Sequence, residues 1–115
     1  MTETAKNTTK KAAAKKVTPV KVDRLANNKT FTYTDKNGAE HKYVLQFPGV
    51  VKTWEMIDNA TMQNGQIAKS ILADEYIRNV VVEPQGLTLD SFDYLPGLDE
   101  LYNAIDLFLG EKMSD

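Results

Sequence analysis

The chain reads as an α+β domain: an N-terminal β-hairpin or small antiparallel sheet packed on three or four helices, preceded by a disordered basic arm. Three observations predict it. Apolar residues alternate on either side of Asp35-Lys36-Asn37-Gly38, the pattern of two strands and a tight turn. From Pro48 onward the apolar spacing changes to the three-and-four rhythm of helices. Residues 1–18 are mostly Lys, Thr and Ala, with no aromatic and almost no aliphatic side chain to bury. The organisation expected is a flexible arm over 1–18, one domain over 19–110 and a short tail over 111–115.

Within the arm, Lys10 to Lys16 encloses Ala12-Ala13-Ala14, enough for a transient helix but too short for a stable one. Val17, Val20 and Val22 suggest a short edge strand, which Pro19 weakens. The hairpin is better specified. Asp35 suits the first position of a type I turn, and Gly38 supplies the positive φ of a bulge. That three-residue loop pairs Asp35 with Ala39, Tyr33 with His41 and Phe31 with Tyr43. Phe31, Tyr33, Tyr43, Leu45 and Phe47 then share one face, and Thr32, Thr34, Lys42 and Val44 the other. A two-residue Asn-Gly loop would slip the register by one and split the aromatic residues between faces.

Pro48-Gly49 ends the strand, and Val50, Val51, Trp54, Ile57 and Thr61 follow helical spacing. Asn64-Gly65 breaks that helix. The next runs from Gln66 to Arg78 with Ala68, Ile71, Leu72 and Tyr76 on its packed side. Val80-Val81-Val82 favours a short buried strand, and Pro84 and Gly86 punctuate the next segment. Thr88 can cap a turn over Leu89 and Phe92. Pro96-Gly97 opens the last helix, whose stripe is Leu98, Leu101, Tyr102, Ile105, Phe108 and Leu109. Asp99, Glu100, Asn103 and Asp106 form its wet face, and Gly110 sits where a C-terminal cap belongs.

The chain has 115 residues, no cysteine, one histidine and a net charge of −2. One small domain of moderate stability is the expectation. There is no disulfide and no thiolate site. No apolar run approaches the roughly 18 residues of a membrane span, and the N-terminus has no apolar region of the kind a secretory signal needs. Charge is divided along the chain. Residues 1–29 sum to +6 and the remainder to −8, a basic arm on an acidic body.

Catalytic chemistry is poorly represented. His41 has no second histidine or cysteine with which to share a metal, and reads as a partly exposed strand residue. Asp74-Glu75 and Asp99-Glu100 are adjacent on helices, so their carboxylates point about 100° apart. Ser70 and Ser91 lack a nucleophile-elbow signature. No catalytic, cofactor or metal residue is assigned, and the expectation is a protein that is not an enzyme. Trp54 reads first as core, with a partner-binding anchor as its alternative. Tyr94 and Leu95 suit an exposed, sticky edge, and Met56 and Met62 are soft, adaptable groove residues. The arm admits a solvated terminus, contact with an acidic protein surface, or nucleic acid. Nucleic acid is disfavoured, because no aromatic residue is interleaved with the lysines and the acidic body repels a polyanion.

Three stretches carry a resemblance. They are Phe47-Pro48-Gly49-Val50-Val51 leading to Met56-Ile57-Asp58, Tyr76-Ile77 through Val80-Val81-Val82-Glu83-Pro84, and Leu89-Asp90-Ser91-Phe92 followed by a helix ending Phe108-Leu109-Gly110. Their order and spacing, over residues 28 to 110, resemble the tail assembly chaperones of siphophages infecting Gram-positive hosts. The resemblance implies a small protein of the infected host's cytoplasm, absent from the mature virion. It implies binding to the tape measure protein, keeping that helical, apolar client soluble, and recruitment of tail tube protein. It implies self-association into a homo-oligomer, and a longer form made by frameshifting near the stop. Trp54, Met56, Met62, Tyr94 and Leu95 are the candidate client-binding residues. The alternatives are a small structural protein of a phage tail or head–tail connector, and a basic-armed nucleic-acid regulator.

Overall fold

The computed structural model describes residues 23–114. The arm expected over 1–18, the transient helix expected in it and the edge strand expected around Val17 to Val22 lie outside the described residues. Strand β1 (Lys29–Thr34) and strand β2 (Glu40–Leu45) form the hairpin. Tyr33 stands opposite His41 and Phe31 opposite Tyr43, the register that the bulged turn requires. The Asp35 N–H donates to the Ala39 carbonyl at 2.9 Å and the Gly38 N–H to the Asp35 carbonyl at 3.0 Å. Gly38 sits at φ 85°, the left-handed conformation that a side chain disfavours. Tyr43, Leu45 and Phe47 are buried, Phe31 and Tyr33 are partly buried, and Thr32, Thr34 and Lys42 are exposed. One face of the sheet therefore carries the core and the other meets solvent.

Helix α1 (Val50–Ala60) follows directly, and helix α2 (Lys69–Val80) runs into strand β3 (Val81–Glu83) with no intervening loop. β3 lies antiparallel to β2, so the sheet order is β1-β2-β3. A 3-10 turn (Leu89–Asp93) leads to helix α3 (Leu98–Met113). The result is the expected α+β fold, a three-stranded antiparallel sheet with three helices. Its core joins Tyr43, Leu45 and Phe47 of the hairpin segment to Met56 of α1, Leu72, Tyr76, Ile77 and Val80 of α2, and Leu101, Ile105, Phe108 and Leu109 of α3.

Several sequence expectations are corrected. The second helix begins at Lys69 rather than Gln66, because residues 61–67 form a tight loop. Thr61 bridges Ile67, and the Met62 N–H donates to the Gln66 carbonyl at 2.8 Å. Ile71 is 45% exposed, while Ala73 and Ile77 turn inward with Leu72 and Tyr76. Val80 closes α2, and the strand starts one residue later. Gly110 is no cap: α3 continues through it to Met113 and ends at Ser114, so Glu111–Met113 are helix rather than tail. Lys112, in that last turn, donates to the Ala26 carbonyl and ties the end of α3 to the segment leading into β1.

Gly97 has a specific reason to be glycine. It caps the start of α3 at φ 87°, and a Cβ there would lie 2.6 Å from Cδ2 of Tyr33. The hairpin and α3 therefore meet backbone against ring.

Candidate protein-binding groove

The helix rhythm of α1 contains two stripes, and the structure buries the less apolar one. Thr53, Met56 and Ala60 face the core. Val51 is 71% exposed and Trp54 55% exposed. Thr53 is tolerated inside because its hydroxyl donates to the Gly49 carbonyl at 2.8 Å, satisfying it within its own helix. This corrects the reading of Trp54 as core. It equally corrects the placing of Met56 on a binding surface, since Met56 is wholly enclosed.

Trp54 forms one wall of a groove of about 490 Å³ between α1 and the C-terminal half of α3. Ile57 continues the α1 wall, while Leu109, Gly110 and Met113 supply the α3 side. Gly110 exposes bare helix backbone there, with nothing within 4 Å of where a Cβ would be. Its polar lining is Thr53 and one hydrogen-bonded pair, in which the buried Tyr76 hydroxyl donates to Oδ1 of Asp106 at 2.8 Å. Burial first, and then that hydrogen bond, push the Tyr76 phenol far above its ordinary value. Tyr102, whose ring centroid is 5.3 Å from that of Tyr76, is pushed up by burial and by the charge of Asp106. Tyr76 therefore stays neutral and donating, and Asp106 keeps an acidic rim beside an apolar trough.

The five candidate residues are not brought together. Trp54 lines the groove and Met56 lies in the core beneath α1. Met62 is 43% exposed on the loop after α1, Tyr94 is 91% exposed on the loop before α3, and Leu95 is partly buried beside it. None of the last three lines the groove. Sequence reasoning did not single out Ile57, Leu109, Gly110 or Met113 as groove residues. The last three lie at or beside the point where Gly110 was expected to end the helix, so their shared face was not visible. A second groove, of about 510 Å³, lies between the first turns of α2 and α3 and the 3-10 turn, with Leu89 and Phe92 at its base and Asp90, Asp93 and Asp99 around it.

The groups weighed for chemistry have structural occupations. His41 Nε2 lies 2.9 Å from Oδ2 of Asp35. Oδ1 of Asp35 accepts the amides of Asn37 and Ala39 at 2.8 and 3.0 Å. The His41 hydrogen bond, aided by those amides, lowers the Asp35 carboxyl below its usual value. The cluster locks the turn. Asp74 pairs with Arg78 at 2.9 Å and Asp99 with Lys69 at 3.6 Å. The Ser91 hydroxyl accepts the Thr88 amide at 3.1 Å. Among the described residues no group of three or more His, Asp or Glu side chains is placed to hold a metal, and no helix is long and apolar enough to cross a membrane. Comparison with family models, curated proteins and solved structures finds no match for the chain.

Proposed function

We propose that the chain is a non-enzymatic assembly chaperone of the phage-tail kind, which seats an apolar stripe of the helical tape measure protein in the groove beside Trp54. The observation that carries this is the orientation of α1. The helix turns a threonine inward and presents Val51 and Trp54 to solvent. Large aromatic side chains at the mouth of an apolar trough are the usual anchors of protein recognition, and a helix in a groove is the matching mode. The acidic body keeps the unloaded chaperone soluble. On this reading the protein works in the host cytoplasm, hands its client on to tail tube subunits and is left out of the virion.

Trp54 is the only tryptophan, so its fluorescence reports on the groove alone. The exposed 55% of its surface amounts to about 140 Å² for a side chain of roughly 250 Å². Covering it is worth up to about 3.5 kcal/mol at about 25 cal/mol per Å², or roughly three hundredfold in affinity. Co-expression with the tape measure protein of the same genome should yield a soluble complex with blue-shifted Trp54 emission. Trp54→Ala should release the client into the insoluble fraction. A client equally insoluble with and without the chain refutes the reading. Recovery of the chain from purified virions by mass spectrometry would favour the structural-connector alternative.

A further inference from the structure

The two edges of the sheet are not equally protected. β3 is three residues long and is followed by Pro84, two devices that blunt a sheet edge. β1 has six residues in unbroken register with β2, no proline and no bulge, and among the described residues no strand pairs with its outer edge. In an antiparallel ladder, residues alternately aim their N–H and C=O toward and away from the partner strand. Asp35 exchanges its backbone bonds with the returning strand, so Tyr33, Phe31 and Lys29, of the same parity, aim at β2. Thr30, Thr32 and Thr34 aim outward with unpaired groups.

We propose that this edge is a dimer interface, in which β1 pairs antiparallel with β1 of a second copy about a twofold axis through Thr32. This register is self-complementary. Thr32 meets Thr32 of the second copy, and Thr30 meets Thr34 in both directions, so all the outward groups are used in six backbone hydrogen bonds. A shift of two residues either way leaves four. A shift of one turns side chains to opposite faces. On the helix side of the sheet the same register sets Phe31 opposite Tyr33 and Lys29 opposite Asp35, an aromatic pair and a charge pair.

The flank of the edge suits that occupant. A groove of about 480 Å³ runs between β1 and α3, with Glu100, Asn103, Ala104 and Leu107 on its α3 side. Leu107 is 70% exposed, a large apolar side chain on the solvent side of α3. A twofold axis perpendicular to the sheet keeps helix side on helix side, so Phe31 and Tyr33 of the second copy fall beside Leu107 and Ala104. Residues 100, 103, 104 and 107 lie on a different face of α3 from 106, 109, 110 and 113. Pairing therefore leaves the Trp54 groove open, and the dimer stands whether or not that groove binds a tape measure protein.

Analytical ultracentrifugation of the full chain tests this. The chain should sediment as a dimer at tens of micromolar, with the Thr30, Thr32 and Thr34 amides protected from exchange in a concentration-dependent way. Thr32→Pro removes only an outward N–H and spares the β1–β2 bonds. It should keep the native circular dichroism spectrum and weaken dimerisation roughly thirtyfold, through the two symmetric hydrogen bonds lost. The chain has no native cysteine, so Thr32→Cys should oxidise to a symmetric disulfide while Thr30→Cys should not. A Thr32→Pro dimer of unchanged affinity, or cross-linking through Thr30→Cys rather than Thr32→Cys, overturns the proposal. So does a strictly monomeric chain with protected edge amides, which would place another occupant there, such as residues 17–22.

Discussion

Replacing Gly97 by alanine should be among the costliest one-carbon changes in the protein. The residue sits at φ 87°, where an alanine is disfavoured by about 1–2 kcal/mol. Its new Cβ would lie 2.6, 2.8 and 2.9 Å from three atoms of the Tyr33 ring, well inside carbon–carbon contact distance. The ring must move, and overpacking of this kind costs about 1–3 kcal/mol. Together these predict a loss of roughly 2–5 kcal/mol, a large part of the stability of a domain this size. Urea unfolding followed by circular dichroism at fixed protein concentration measures it. With a slope of about 1–3 kcal/mol per molar, the midpoint should fall by at least about 0.7 M. Tyr33→Ala in the same chain separates the two causes. The steric part vanishes in the double variant and the backbone part remains, so the double-mutant cycle should show a coupling of about 1–3 kcal/mol. A neutral Gly97→Ala, or a cycle with no coupling, refutes the contact between the hairpin and the start of α3.

Met56→Ala should lower stability by about 2–5 kcal/mol, as for other wholly buried large side chains; a change within about 0.5 kcal/mol by urea unfolding would place Met56 outside the core. Asp35 has a lowered pKa in the folded chain, chiefly through His41. Its contribution is therefore complete above the ordinary carboxylate value near pH 4 and lost as pH falls through the folded value. Amide exchange should show the hairpin tip opening early in acid, and Asp35→Asn should abolish that pH dependence; an identical acid profile in the variant refutes it. Tyr76 has a raised pKa, from burial and the Asp106 hydrogen bond. Its contribution is complete below about pH 10 and fades as pH rises toward the folded value. Tyr76→Phe should accordingly flatten the alkaline decline of stability, and an undiminished decline would refute the assignment.

The hairpin was legible to the register because turn chemistry and burial agree: Asp35 and Gly38 suit a type I turn with a bulge, and that loop, unlike the two-residue Asn-Gly alternative, gathers the aromatic residues on one face. The existence of all three helices and the strand after α2 was legible for similar reasons. The face of α1 was not. Periodicity identifies a stripe of apolar residues, yet Val50, Val51, Trp54 and Ile57 lie beside a second stripe of Thr53, Met56 and Ala60. Only the position of the sheet and α2 decides which of the two is enclosed. The end of α3 was misread because glycine commonly stops helices; here Lys112 and Met113 find tertiary contacts past Gly110 that carry the helix on. Gly110 and Met113 also complete the groove, so an error in one boundary hid the site.

Gly110 has a consequence for how this fold can evolve. A glycine inside a helix forgoes about 0.5–1 kcal/mol relative to alanine, and open space surrounds it, so a methyl group would fit without any collision. Selection for robustness alone would favour that methyl. A bare stretch of backbone next to an indole offers something a sturdier helix cannot: clearance for a visitor's main chain to come close. Thermal tolerance and capacity to accommodate are thus set against each other at one atom, and lineages that keep the glycine would be those in which accommodation matters more.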